Sequence, residues 1–203
     1  MSRKCPRPSP PSESSGSLDP VITVAIIGAG PLGRRLALGA ARSGYRVLLE
    51  DVMPSNLHHA RESIRRELSP QALPAVDFVA SIEDAVRNAD LAIDCVPDEL
   101  ESKLEILWLV DRMAPPRTVI ATPTLYQSIG DLASCTNRRE KCIAIATSPE
   151  ALVSAPSMDA QTGSACAELV LRTAPFTSDE TVSLVVDFFR ELGFSPVVEH
   201  LSQ

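Results

Sequence analysis

The stretch "VAIIGAGPLGRRLALGAARSGYRVLLED", Val24 to Asp51, runs from an apolar segment through a glycine-punctuated turn and an amphipathic segment to a second apolar run ending in two acids. Gly28, Gly30 and Gly33 fall between an expected strand and an expected helix, the setting in which such a turn holds a dinucleotide. Gly28 permits the tight turn, Gly30 leaves room for a pyrophosphate against the backbone, and Gly33 lets the helix pack close to the strand. Pro31 and Leu32 complete the turn, and the phosphates would sit at the helix N-terminus, where free N–H groups and the macrodipole favour negative charge. The acid closing the second strand would accept ribose hydroxyls and repel a 2′-phosphate, which points to NAD. Asp51 fits that role, and Glu50 competes for it because strand alternation puts only one of the two on the cofactor side.

Working outward, apolar runs alternate with segments of helical period, the pattern of βα units on a parallel sheet. After "VITVAII" and the helix from Pro31 to about Ser43, "RVLLE", "AVDFVA", "LAIDCV", "TVIAT" and "KCIAIA" read as further strands, with helices between them. The segment "PDELESKLEILWLVDRM" is expected to begin a helix at its Pro and acids and to pack Leu100, Leu104, Leu107 and Trp108 on the sheet. "AELVLRT", the capped helix "SDETVSLVVDFFRELG" and "SPVVEH" close the pattern. The expectation is a doubly wound α/β fold, mostly parallel, with helices on both faces and the last strands antiparallel. Residues 1–19, rich in Pro and Ser, read as a disordered tail, and residues 20–203 as one domain.

The net charge of -7 argues against a grip on nucleic acid or anionic membrane. No apolar run approaches the roughly 20 residues of a spanning helix, and the N-terminus lacks the apolar core of a secretory signal. The five cysteines are odd in number and form no CxxC pair, so they read as reduced thiols of a cytoplasmic protein, with Cys95 and Cys142 as core side chains. His58 and His59 read as surface residues, and His200 has no evident partner.

The glycine turn, Asp51, "DLAIDCVPDELESKLEI", "RTVIAT" and "ELVLRTAPFTSDETVSLVVDFFRELGFSPV" together resemble the nucleotide-binding, Rossmann-type domain of the 3-hydroxyacyl-CoA dehydrogenase family. The resemblance implies NAD as cofactor and an acyl-CoA or hydroxy-acid ligand. It places Asp98 and Lys103 toward the nicotinamide, though read alone they are equally a helix-capping acid and a surface lysine. Val96 and Pro97 would line the ribose, and Thr122 would join the cofactor set.

At the family's catalytic positions the implied chemistry is missing. The general-base His falls at Ala146 or Thr147, the Glu that orients it at Leu169 or Val170, and the Ser at Leu125, while Pro123 replaces an Asn. Glu168 lies beside the Glu position on the opposite face of its strand. The remaining polar groups in range, Thr122, Thr124, Tyr126 and Ser148, offer no base that works near neutral pH. "SPQALP" is shorter than the family's extension near the CoA, and the all-helical C-terminal domain is expected to be missing. Two readings follow: an NAD(H)-binding protein without the family's catalytic residues, or an active oxidoreductase on a 3-hydroxyacyl-CoA or related hydroxy acid using other residues or a partner chain. A homodimer is expected in either case, because the missing domain would leave surface for a second copy to cover.

Overall fold

A computed structural model describes residues 21–154 and 167–200. The expected tail, Cys5 and Cys166 lie outside these residues. One eight-stranded sheet in the order β3-β2-β1-β4-β5-β6-β7-β8 organises the chain. Its strands are β1 (Thr23–Ile27), β2 (Arg46–Glu50), β3 (Val76–Val79), β4 (Leu91–Asp94), β5 (Val119–Pro123), β6 (Cys142–Ile145), β7 (Glu168–Thr173) and β8 (Ser195–His200). The first six are parallel, β7 pairs antiparallel with β6, and β8 runs parallel to β7. Both final strands therefore oppose the first six, as expected.

Helices cover both faces because the central strands are apolar on both. Every residue of β4, β5 and β6 is buried. One face carries α1 (Pro31–Arg42), α2 (Pro54–Glu67), α6 (Pro149–Ser154) and α7 (Asp179–Glu191) over a core containing Val24, Ile26, Leu36, Ile64, Leu152 and Phe188. On that face Tyr45, Phe188, Phe189 and Phe194 form edge-to-face pairs at 5.1 to 5.8 Å. The other face carries α3 (Ile82–Val86), α4 (Leu100–Met113) and α5 (Ile129–Ala133) over Ala25, Ile27, Leu107, Val110 and Leu132. Ser81, Ser128 and Ser178 cap α3, α5 and α7 by accepting the backbone N–H of the third residue of each helix.

The structure corrects the expectation for α4. The helix starts at Leu100 rather than at Pro97, and its N-cap Glu99 makes no side-chain bond. Its buried stripe is Lys103, Leu107 and Val110, while Leu100 and Trp108 are about half exposed, with Arg112 stacked over the indole. The helix settles one position round from the apolar stripe because Lys103 finds buried partners, described below. Its far end is held by Arg138, which donates to the Asp111 carboxylate at 2.9 Å and to the carbonyls of Asp111 and Pro115 at 2.7 and 2.6 Å. His200 also has a partner, with its Nδ1 3.0 Å from the Thr173 hydroxyl. No helix among the described residues is long and apolar enough to cross a membrane.

The sheet order reverses direction between β1 and β4, since β1 leads to β2 on one side and the chain returns to place β4 on the other. Ligands of open α/β sheets bind at the carboxyl ends of the strands at such a switch point. All the expected cofactor residues lie at that end.

Candidate cofactor cleft

The turn after β1 has the geometry its glycines imply. Gly28 adopts φ +102°, and a Cβ there would meet the Cys95 carbonyl oxygen at 3.1 Å. A Cβ on Gly33 would lie 1.8 Å from the Gly28 carbonyl oxygen, so helix α1 can approach β1 only at a residue without a side chain. A Cβ on Gly30 would meet nothing within 4 Å, because that position opens into the cleft. Gly30 is also the N-cap of α1, with no side-chain cap and no acid in the first turn, so the first amides are left for an anion.

The two acids at the end of β2 separate cleanly. Asp51 is buried at the cleft wall and accepts from Ala29 N–H at 2.8 Å, Met53 N–H at 2.8 Å and the Asn56 amide at 3.1 and 3.2 Å. Glu50 points with Leu48 to the face of α3, and its carboxyl group has no hydrogen-bond partner among the described residues. Burial, reinforced by the neighbouring Asp51 charge, pushes its carboxyl up to about 7. Of the two, Asp51 is the one that lines the cleft.

Val96 and Pro97 line the cleft, and beneath them lies a polar network. The Lys103 ammonium, fully buried, donates to Asp94 Oδ2 at 3.1 Å and Thr122 Oγ1 at 3.2 Å. The Thr122 hydroxyl donates to Asp94 Oδ2 at 2.9 Å, and Val96 N–H donates to Asp94 Oδ1 at 3.0 Å. Burial raises the Asp94 carboxyl, and the Lys103 ammonium, the Val96 N–H and the Thr122 hydroxyl pull it back. Lys103 and Thr122 thus sit under the floor of the cleft rather than on it, and Lys103 is not a surface residue. Asp98 does line the cleft but does not cap α4; it accepts from the Thr124 hydroxyl at 2.6 Å and Leu125 N–H at 2.9 Å, fixing the loop after β5.

The cleft measures about 620 Å³ and is mostly apolar, with Gly28, Gly30, Pro31 and Leu32 on one side and Pro123 on another. That volume is in the usual range for cofactor and ligand sites. Helix α6 supplies a wall that sequence reading missed, comprising Pro149, Glu150, Val153 and Ser154. Asn56 was missed as well, although an amide five residues past Asp51 in the first turn of a helix is a signal that could have been followed. Burial pushes the Cys95 thiol up, which leaves it an apolar wall element.

Where the resemblance puts catalytic groups, Leu125 is 41% exposed, Ala146 is half-buried and Leu169 is fully buried. The Thr147 hydroxyl is engaged by Val170 N–H at 2.9 Å, and Glu168 points away on an exposed face of β7. No cluster of three or more metal-ligating side chains occurs among the described residues.

The family described as "3-hydroxyacyl-CoA dehydrogenase, NAD binding domain" matches residues 23–153. The chain belongs to this family. It is 28% identical over 186 residues to 5-formyl-3-hydroxy-2-methylpyridine 4-carboxylate 5-dehydrogenase of Mesorhizobium japonicum, covering 86% of this chain and 56% of that one. Human mitochondrial hydroxyacyl-coenzyme A dehydrogenase is 25% identical over 206 residues, covering 92% and 62%. Among solved structures, the 3-hydroxyacyl-CoA dehydrogenase of Archaeoglobus fulgidus superposes with a TM-score of 0.71 at 26% identity, covering 90% of this chain and 57% of that one. The chain thus spans about half the length of the curated relatives it matches. As a member of this family it carries an NAD-binding domain, and the open glycine turn beside a buried aspartate fits that cofactor.

Two outcomes follow from this geometry. Lys103→Met leaves the Asp94 carboxylate buried without its cation and should cost about 3–5 kcal/mol in urea unfolding, while adding Asp94→Leu should recover most of the loss. For Glu50, the folded chain keeps its proton up to about pH 7 against an ordinary value of 4.5. Its contribution to stability is therefore full at low pH and is lost as pH rises between those values. Denaturation midpoints should fall across that window more steeply in the parent than in Glu50→Gln, and parallel curves would contradict the assignment.

Proposed function

We propose that this domain, residues 20–203, binds NAD(H) in the cleft at the switch point without the family's serine, histidine and glutamate catalytic set. The observation that carries this reading is that the matching positions hold Leu125, Ala146 or Thr147, and Leu169 or Val170. Gly28, Gly30, Pro31, Leu32 and Gly33 would take the pyrophosphate at the start of α1. Asp51 would take the adenosine ribose, and Val96 and Pro97 would face the cofactor from β4. Asp98, Lys103 and Thr122 would act from beneath and beside it, holding the β4 and β5 ends in place. Bound there, the nicotinamide supplies a hydride acceptor or donor, and the groups that would move the substrate's hydroxyl proton are the ones not matched.

An active dehydrogenase on a 3-hydroxyacyl-CoA or related hydroxy acid is the second reading, and one observation favours it. Glu150 lines the cleft, and its carboxylate has no hydrogen-bond partner among the described residues. Its carboxylate could take a substrate hydroxyl proton in place of the histidine. A homodimer fits both readings, since Leu125 and Tyr126 are exposed beside Asp98 and available to a second copy.

NADH fluorescence titration combined with an acetoacetyl-CoA reduction assay separates them. The first reading predicts saturable NADH binding with no turnover across acyl chain lengths. Turnover abolished by Glu150→Gln with NADH affinity retained would establish the second, and absence of NADH binding would refute both.

A further inference from the structure

The Asp51 carboxylate is already engaged on every side that the fold can reach. A carboxylate has about four lone-pair sites. Ala29 N–H takes one on Oδ2 and Met53 N–H one on Oδ1, each at 2.8 Å. The Asn56 amide nitrogen lies nearly equidistant from both oxygens, at 3.2 and 3.1 Å. It therefore straddles the open edge of the carboxylate, where the two hydroxyls of a ribose would each donate to one oxygen. The two backbone donors cannot leave without moving the glycine turn or the start of α2. The amide can, because it is carried by a half-buried side chain that itself lines the cleft.

We propose that Asn56 competes with the adenosine ribose for the Asp51 carboxylate, so that the amide must swing off Asp51 before the dinucleotide seats. This rests on the reading that Asp51 is the ribose acid. Asn56 then sets the affinity of the cleft: it hydrogen-bonds the Asp51 carboxylate in the free protein, and those bonds are lost on binding. The backbone of Asn56 stays in place throughout, since its own N–H donates to the Met53 carbonyl at 3.0 Å as part of the first turn of α2.

The test is NADH affinity, by fluorescence titration, of the parent chain, Asn56→Ala, the near-isosteric Asn56→Leu, Asp51→Ala and the Asn56→Ala/Asp51→Ala pair, each checked for folding by circular dichroism. Removing the competing donor should lower the NADH Kd about three- to tenfold in both Asn56 variants, the scale of a hydrogen bond to a charged group partly replaced by water. Asp51→Ala should weaken binding, and in that background Asn56→Ala should have no effect. Nicotinamide mononucleotide, which lacks the adenosine ribose, should gain nothing from either Asn56 variant. If the parent binds and Asp51→Ala weakens binding but the Asn56 variants bind equally or less tightly, competition is overturned while the ribose assignment stands. A gain that survives in the Asp51→Ala background, or that appears equally with nicotinamide mononucleotide, also overturns it. If Asp51→Ala leaves affinity unchanged, or the parent does not bind NADH, the underlying reading fails and the proposal with it.

Discussion

Helix α1 can begin where it does only because Gly33 has no side chain, since a Cβ there would lie 1.8 Å from the Gly28 carbonyl oxygen. That contact aims the helix N-terminus at the carboxyl edge of the sheet. It also holds the turn against β2, whose Glu50 carbonyl accepts the Gly28 N–H at 2.8 Å, and against Cys95 just past β4. The cleft lies where these three strands meet, and its anion-attracting end is the uncapped first turn of α1. Each neighbouring feature is fitted to this one contact. The Asp51 carboxylate is anchored to the turn through Ala29 N–H, and Cys95 N–H donates to the Ile27 carbonyl at 2.7 Å.

A second constraint acts from below. Asp94, Lys103 and Thr122 join β4, α4 and β5 through one buried group of hydrogen bonds, and Asp98 extends that group to the loop after β5. Buried charges of this kind are weak evidence for stability but leave few alternative arrangements once paired. They fix the floor of the cleft. The walls above that floor are Pro123, Pro149 and Val153, with Glu150 and Ser154 as the polar groups contributed by α6. On the proposed reading, the cleft holds a dinucleotide and has few groups for proton transfer.

Much of this was legible in the sequence, for physical reasons that also explain what was not. The glycine turn could be read because only glycine tolerates both the φ of +102° at Gly28 and the close approach at Gly33. The parallel sheet could be read because strands buried on both faces appear as continuous apolar runs. The helix α4 boundary was misplaced because Pro97, Asp98 and Glu99 satisfy the rules for a helix start, while Asp98 is drawn instead to the Thr124 hydroxyl and the Leu125 N–H. Lys103 read alone as a surface residue, since a buried lysine is recognised only once Asp94 and Thr122, distant in sequence, are brought to it. Glu150 and the anchoring role of Arg138 were invisible for the same reason, since each depends on a wall or a partner that only the folded chain supplies, whereas Asn56 lies only five residues from Asp51 and could have been followed.

Mapping amide chemical shifts of the labelled chain on addition of NAD tests whether the dinucleotide seats across the ends of β1, β2 and β4. With the dinucleotide seated there, the largest changes fall on Ala29 to Gly33, Asp51 to Asn56 and Val96 to Asp98, with smaller changes transmitted to the Lys103 network. Changes centred instead on the groove between α2 and β3, around Arg61, Arg65 and Phe78, with the glycine turn unperturbed, would contradict it.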